Sequence, residues 1–233
     1  MHIDHSIPEQ DDPDWGAVSA RPIIENGQPL IDTGDADQRI ATDPAYARMG
    51  FAHALPRCHV REGLLERLID AARALPDGLQ LLVLDGWPPI ALQSALYEDF
   101  SRQISARFPE LDAVSHDART RQFVAPPSAD PAAPSPHLTG GSIDLTLATG
   151  DDEPLDMGTA FDEPSLLSRT AALETATGSD SHRARDNRRV LFHVMHNAGF
   201  TNLASEWWHF DYGNQLWATA LGRPHAIYGA TSL

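Results

Sequence analysis

Lysine is absent from this chain of 233 residues, and all 17 of its basic residues are arginine. Aspartate and glutamate number 33, so the formal net charge is −16. A surface with such an excess of negative charge repels phosphate groups, because binding would bring like charges together. Binding to nucleic acid or to an anionic membrane surface is therefore not expected.

Cysteine and long apolar runs are scarce as well. The one cysteine, Cys58, excludes an intrachain disulfide and a zinc cluster built from cysteine ligands. Residues 1–14 are polar and acidic and lack the basic start and apolar centre of a secretory signal. No apolar run reaches the length of a membrane span. We therefore expect a soluble, cytoplasmic protein that does not bind membranes; its oligomeric state is left open, a homo-oligomer included.

The pattern of apolar residues divides the chain into an arm and one domain. Residues 1–40 are rich in Asp, Pro and Gly and show little periodicity, which predicts an irregular N-terminal arm packed on the domain. Residues 41–233 alternate between helical and strand patterns. The predicted helices cover 62–75, 90–107 and 185–198, and the predicted strands cover 79–84, 143–147, 200–203 and 207–212. Helices and antiparallel-type strands in this order predict an α+β fold.

Two short segments carry side chains that are suited to a metal site. The segment from Ser135 to Asp144 contains His137, and Glu206-Trp-Trp-His209 adds a carboxylate and a second imidazole. Two imidazoles and a carboxylate as ligands, with another carboxylate nearby to accept a proton, are typical of a catalytic zinc site.

The spacing within these segments leaves the geometry open. His137 and Asp144 are seven positions apart, and Gly140 between them permits a bend. Glu206 and His209 share a face if they lie in a helical turn, but they point to opposite faces of a strand unless a bulge intervenes. A single histidine–aspartate pair of this kind is more often structural than metal-binding. The residues alone therefore do not decide the question.

Three motifs taken together resemble a known family. They are S-x-H-x-x-G-x-[AS]-x-D at Ser135 to Asp144, M-G-T-x-F-D at Met157 to Asp162, and E-W-W-H-F at Glu206 to Phe210. In order and spacing they are similar to the D-alanyl-D-alanine dipeptidases of the vancomycin-resistance type, which belong to the LAS-type zinc peptidases. The similarity runs from about residue 40 to the last residue.

The resemblance implies a catalytic metal site in the domain formed by residues 41–233. The implied ligands of one Zn²⁺ ion per chain are His137, Asp144 and His209, and Glu206 matches the general base that activates water. The implied fold is a single compact α+β domain with a central antiparallel sheet flanked by helices and a zinc site in a cleft.

The resemblance also implies the substrate. Asp162 matches the acidic residue that binds the free ammonium group of a dipeptide, and Ser135 is implied as a helper in substrate binding. The implied activity is zinc-dependent hydrolysis of D-Ala-D-Ala or a related short dipeptide, in the turnover of peptidoglycan. A carboxypeptidase that acts on peptidoglycan stems is the alternative hydrolase.

One departure from the family pattern follows the first core strand. The family usually reads D-G-[YW]-R-P there, whereas residues 85–89 of this chain read D-G-W-P-P. Pro88 thus replaces an arginine that is thought to contact the substrate carbonyl, and loss of such a donor typically costs about 10²–10³ in rate. Either another arginine fills the gap, such as Arg39, Arg48 or Arg57, or the protein is a catalytically weakened, metal-binding relative.

Overall fold

The computed structural model describes residues 5–121, 126–128 and 130–233, so the first four residues of the predicted arm lie outside the described residues. The described ranges contain seven α-helices: α1 Trp15–Ser19, α2 Ala45–Arg48, α3 Glu62–Ala74, α4 Ile90–Arg107, α5 Ala113–Thr120, α6 Ser179–Asn197 and α7 Gln215–Ala220. They also contain seven strands: β1 Leu30–Asp32, β2 Ile40–Thr42, β3 His59–Arg61, β4 Leu79–Asp85, β5 Ser142–Thr149, β6 Thr201–Asn202 and β7 His209–Asp211. None of the helices in these ranges is long and apolar enough to cross a membrane.

The central sheet has five strands in the order β2-β4-β5-β7-β6 within the described part of the chain. The pairs β4-β5, β5-β7 and β6-β7 are antiparallel. The edge strand β2 runs parallel to β4. The predicted α+β class with an antiparallel centre is confirmed, and β2 is the strand that departs from the antiparallel pattern.

The two faces of the sheet differ because side chains alternate along each strand. On β5, Ile143, Leu145 and Leu147 are fully buried in the core that the sheet shares with α3 and α6. Asp144 and Thr146 lie between them in sequence and therefore point to the opposite face. One face of the sheet thus covers the main apolar core. The opposite face carries these polar side chains next to a smaller apolar cluster that includes Leu82, Leu84 and Ala148.

The bounds of α3 and α4 agree closely with the prediction, whereas those of α6 and β7 differ from it. α4 covers the predicted range 90–107, and α3 ends one residue before the predicted 75. α6 begins at Ser179 rather than at 185, because its first turns are polar and carry no apolar signal. β7 begins at His209 rather than at 207, since the two preceding tryptophans form a turn.

The described part of the arm contacts the remainder of the chain at several points. β1 pairs with β3, Ile23 forms a bridge with Ala226, and the Ile7 amide donates to Glu174 Oε1 at 2.9 Å. These contacts lie far apart in sequence, so the arm spreads over the surface of the molecule. The division of the chain at residue 40 stays a prediction.

Candidate metal centre

The candidate centre lies on the face of the sheet opposite the main core, where β5 and β7 pair. Asp144 is directly opposite His209, and the neighbouring pair is Ile143 opposite Phe210. Ile143 and Phe210 are buried in the core. Because alternate residues point to opposite faces, burial of that apolar pair forces Asp144 and His209 together on the other face.

His137 reaches the same place from the loop that precedes β5. It lies in a short 3-10 turn, Pro136–Thr139, which ends at Gly140 in the left-handed region with φ 68°. This backbone conformation favours glycine, and a Cβ on Gly140 would also lie 2.5 Å from Leu30 Cδ2, so that the leucine side chain would have to move. The bend at this glycine turns the chain from the 3-10 turn into β5.

The three predicted ligands bring their donor atoms into one triangle. His137 Nε2 lies 3.2 Å from His209 Nδ1 and 3.4 Å from Asp144 Oδ1. His209 Nδ1 lies 3.1 Å from Asp144 Oδ1. Three ligands placed around a tetrahedral zinc ion at its usual bond lengths are about 3.3 Å apart, so the triangle has the size that zinc requires.

The donor set is also chemically suited to zinc, which binds imidazole nitrogen and carboxylate oxygen. Among the described residues, His137, Asp144 and His209 form the only group of three or more His, Cys, Asp or Glu side chains close enough to share a metal ion. The residues present therefore fit a zinc ion with three protein ligands, the number found in catalytic sites.

Each histidine is held in place through its second ring nitrogen. His137 Nδ1 lies 2.9 Å from the Gly86 carbonyl oxygen, and His209 Nε2 lies 3.1 Å from Asp211 Oδ1. Such outer partners fix the orientation of a metal-binding imidazole and raise its basicity. The carbonyl of Gly86 gives the D-G-W segment a direct link to the centre.

Asp211 is a site residue that the sequence prediction missed. Its Oδ1 accepts hydrogen bonds from Ser142 Oγ at 2.7 Å and from Asn214 Nδ2 at 2.6 Å, so the carboxylate is itself fixed. The sequence feature that could have indicated Asp211 is its position two residues after His209 on the same strand, because residues two apart on a strand point to the same face.

An excess of buried carboxylates surrounds the two imidazoles. Burial alone would lower the pKa of His137, but the Asp144 carboxylate beside it raises that pKa to about 9. The pKa of His209 also lies well above its usual range, against the effect of burial, because of Asp211 and Asp144. The centre therefore favours positive charge, which a divalent cation supplies.

Glu206 lies beside the donor triangle in a turn that precedes β7. The His209 amide donates to the Glu206 carbonyl at 3.4 Å, so these residues form a turn and not two positions of one strand. Glu206 Oε2 is 3.9 Å from His209 Nδ1. Burial raises the pKa of the Glu206 carboxyl to about 8, which suits a group that both accepts and releases a proton near neutral pH.

Asp162 lies in the loop between β5 and the 3-10 turn Leu166–Ser168. Its φ of 63° falls in the left-handed region, which is uncommon for a residue with a side chain. The Tyr46 hydroxyl donates to Asp162 Oδ2 at 2.9 Å. Burial raises the pKa of Asp162 to about 7, and the charge on Asp144 contributes to the rise, as expected for a carboxyl near the centre. Tyr46 was also missed, since nothing in the sequence links positions 46 and 162.

Ser135 is directed into the loop that leads to His137. Its hydroxyl donates to the Pro126 carbonyl at 2.8 Å and accepts from the Ser128 amide at 2.9 Å. Both bonds shape the loop. The role of Ser135 in substrate binding stays a prediction.

Pro88 lines a small cavity next to the centre, and Tyr46, Asp85 and Arg57 contribute to the same wall. Arg57 is therefore placed near the position of the missing family arginine. Its guanidinium pairs with Asp32 at 2.6 Å, and its side chain is 71% exposed.

The other two candidate arginines are engaged elsewhere. Arg39 donates to the carbonyls of Pro76 and Leu79, at the start of β4, whereas Pro88 follows the end of that strand. Arg48 pairs with Asp43 at the surface. Arg57 is thus the member of the three whose position suits the gap.

Comparisons with known proteins agree with the motifs. Residues 51–227 match a family, peptidase M15, that is described as D-ala-D-ala dipeptidase. The chain is 31% identical over 225 residues to a D-alanyl-D-alanine dipeptidase of Synechocystis sp., which covers 88% of this chain and 90% of that protein. It is 31% identical over 154 residues to a D-alanyl-D-alanine dipeptidase of Enterococcus faecium, which covers 63% of this chain and 69% of that one. A solved structure, VanYB in complex with D-Alanine-D-Alanine, is 17% identical, covers 71% of this chain and 79% of its own, and gives a TM-score of 0.45.

Proposed function

Since this chain belongs to the D-Ala-D-Ala dipeptidase family of M15 peptidases, we propose that it is a zinc-dependent dipeptidase that hydrolyses D-Ala-D-Ala or a related short dipeptide. The observation that carries the proposal is the donor triangle of His137, Asp144 and His209, with sides of 3.1, 3.2 and 3.4 Å, beside the Glu206 carboxylate. Peptide hydrolysis requires an activated water and a proton acceptor, and this arrangement offers a place for both.

In this proposal the three side chains of the triangle hold one zinc ion per chain. A bound zinc ion would make water more acidic and polarise the scissile carbonyl. The Gly86 carbonyl and the Asp211 carboxylate keep the two imidazoles oriented for that task.

Glu206 is proposed as the general base. Its carboxylate accepts a proton from the attacking water at Oε1 or Oε2 and then passes it to the amine that leaves. Proton transfer of this kind typically contributes about 10²–10⁴ in rate.

Asp162 is proposed to bind the free ammonium group of the substrate, with Ser135 as a helper. A partly buried carboxylate stabilises an ammonium group placed beside it through a charge-assisted hydrogen bond. A longer peptide has no ammonium at that position and would leave the carboxylate unpaired, which costs several kcal/mol for a buried charge. The site would therefore prefer dipeptides, and a role in cytoplasmic peptidoglycan turnover follows from that substrate.

Two alternatives to the dipeptidase would keep the same metal centre. A carboxypeptidase acting on peptidoglycan stems would use the same metal centre, but it would not need the charge on Asp162. A catalytically weakened metal-binding relative is favoured by Pro88, which offers no hydrogen-bond donor where the family has arginine. Of the three candidate arginines, Arg57 borders the same cavity as Pro88, and its guanidinium would have to leave Asp32 to compensate for the lost donor.

A panel of substrates tests the proposal. Zinc-loaded protein is incubated with D-Ala-D-Ala, L-Ala-L-Ala, N-acetyl-D-Ala-D-Ala and a D-Ala-D-Ala-terminated stem pentapeptide, and released amino acid is measured. We expect turnover of the free D-dipeptide and loss of that turnover in Glu206→Ala, which retains the metal. Preference for the pentapeptide would favour the carboxypeptidase, and bound zinc without any turnover would favour the weakened relative.

A further inference from the structure

The hydroxyl of Tyr46, a residue that no sequence motif singled out, contacts the candidate substrate-binding residue Asp162. Tyr46 lies on the four-residue helix α2 and is only 8% exposed. Its ring packs edge-on against Phe51 with the ring centroids 5.7 Å apart. It also packs at a tilt against Phe161 with the centroids 5.8 Å apart. These contacts fix the ring, so its hydroxyl has a defined position rather than a range of positions.

The Tyr46 hydroxyl donates its hydrogen bond to Asp162. The Tyr46 Oη to Asp162 Oδ2 distance is 2.9 Å, a normal hydrogen bond from a phenol to a carboxylate. The partner residue has a left-handed backbone at φ 63°, and such conformations persist when surrounding contacts determine them. A carboxylate has two oxygens that accept several hydrogen bonds, so one bond to Oδ2 fixes the group and still leaves acceptor capacity for a ligand.

The surroundings connect this pair to the metal centre. Phe161, next to Asp162 in sequence, packs against Trp208 with the ring centroids 5.5 Å apart. Trp208 immediately precedes His209. Tyr46 also lines the cavity that contains Asp85 and Pro88, and Asp85 Oδ2 lies 3.8 Å from His137 Nδ1. Tyr46 therefore shares a cavity with Pro88, the position of the missing family arginine, and with a carboxylate that adjoins the candidate metal centre.

We propose that Tyr46 is a positioning residue that holds the Asp162 carboxylate for the ammonium group of the substrate and so determines the preference for dipeptides with a free N-terminus. The inference rests on the proposed function, because it assigns Asp162 to the ammonium group. A hydrogen bond to one carboxylate oxygen stabilises the ionised form and restricts its rotation, and both effects favour pairing with a cation.

Tyr46→Phe tests the inference, because it removes the hydroxyl and keeps the ring contacts. We expect KM for D-Ala-D-Ala to rise about tenfold or more, as is typical for loss of a hydrogen bond to a charged group, with kcat changed less than threefold. KM for N-acetyl-D-Ala-D-Ala, where it is measurable, should change little. A merely structural defect would lower the turnover of both substrates.

The matched control is Tyr97→Phe. Tyr97 on α4 makes the same kind of bond, from its hydroxyl to Asp117 Oδ1 at 2.6 Å, among surface residues. This variant should leave both kinetic constants unchanged. Equal effects of the two tyrosine variants on KM would overturn the inference.

A double-mutant cycle separates action through Asp162 from direct action on the substrate. In an Asp162→Asn background, Tyr46→Phe should change KM less than twofold, since the charge that the phenol positions is gone. The same fold-change in both backgrounds would show that Tyr46 works independently of Asp162 and would contradict the proposal.

The binding affinity for D-Ala-D-Ala, measured in a catalytically inactive background, tests the inference independently of turnover. In the Glu206→Ala background, calorimetric titration with D-Ala-D-Ala should give a dissociation constant about tenfold higher when Tyr46→Phe is added, and no change when Tyr97→Phe is added. If the wild-type protein hydrolyses no dipeptide, the proposed function fails. The inference fails separately if the two double variants bind D-Ala-D-Ala with equal affinity.

Discussion

At the scale of single residues, the geometry of the candidate centre depends on groups other than the three proposed ligands. Asp211 accepts a hydrogen bond from His209 and is itself fixed by Ser142 and Asn214. A carboxylate in that position makes the imidazole a stronger ligand and sets its orientation. The affinity of the proposed centre for zinc would therefore depend on the strand pair and not on the three ligands alone.

We predict that Asp211→Ala weakens zinc binding by about 10–100-fold, the usual cost of losing such a partner. Asp211→Asn should weaken it less, because an amide oxygen still accepts the bond. Zinc affinity is measured by competition with a chromophoric chelator. Asp99→Asn, a change at a surface carboxylate paired with Arg102, serves as control, and an Asp211→Ala protein that binds zinc like this control would show that Asp211 has no part in the centre.

The site residues that sequence motifs predicted differ from the missed ones in how they reach the site. His137, Asp144 and His209 stand in motifs, and the structure brings their donor atoms together. Asp211 contacts His209 from two positions further along β7, a spacing that motif matching alone did not single out. Tyr46 contacts a partner 116 positions away, and such a contact arises from packing, which residue spacing does not encode.

At the scale of elements, one buried arginine organises the loop that carries Asp162. Arg188 on α6 is 1% exposed. Its guanidinium donates to the carbonyls of Met157, Leu167 and Arg169 at 2.7, 2.9 and 2.7 Å. These carbonyls lie on both sides of Asp162, so the arginine ties the two ends of the loop to the helix.

Replacement of this arginine should therefore loosen the loop. We predict that Arg188→Met destabilises the protein by about 3 kcal/mol, because three buried carbonyls each lose a partner at about 1 kcal/mol or more. That loss corresponds to a Tm lower by about 6–12 °C for a chain of this size.

Thermal unfolding followed by circular dichroism measures the effect. Arg185→Met is the control, since Arg185 on the same helix pairs with its exposed neighbour Asp186. KM for the dipeptide should also rise in Arg188→Met, because the loop positions Asp162. A Tm within 1–2 °C of that of the control, a difference below about 1 kcal/mol, would show that the carbonyls find other partners.

The boundaries of the helices and strands show which parts of the fold the sequence could predict. α3 was placed almost to the residue because apolar periodicity marks the whole of its buried face. α4 was placed from Pro88 and Pro89, which suit the start of a helix. The first turns of α6 are polar, and nothing in their composition distinguishes them from a loop. The Glu206–His209 turn was ambiguous because a three-residue spacing suits a helical turn as well as a bulged strand, and only the pairing of β7 with β5 decides it.

At the scale of the whole molecule, the dominant feature is negative charge. The chain carries a formal net charge of −16, and several carboxylates converge on the candidate centre. Burial raises the pKa of Asp85 to about 7, and the Asp144 charge acts in the same direction. Such a concentration of acidic groups opposes folding unless positive charge compensates for it.

Zinc should therefore stabilise the folded chain. A ligand that binds only the native state at about 1,000 times its Kd adds about 4 kcal/mol, which corresponds to a Tm increase of about 8–16 °C for a protein of this size. Differential scanning calorimetry with and without a chelator measures the shift. His209→Ala, which lacks one ligand, should show little response to zinc, and an equal shift in this variant would place the stabilising ion elsewhere.

The most direct test of the account is the zinc content of the purified protein. Elemental analysis after supplementation and removal of free metal should find one zinc ion per wild-type chain, one per Glu206→Ala chain and almost none per His209→Ala chain. A folded wild-type protein without zinc, or a His209→Ala protein that retains a full equivalent, would contradict the assignment of the centre.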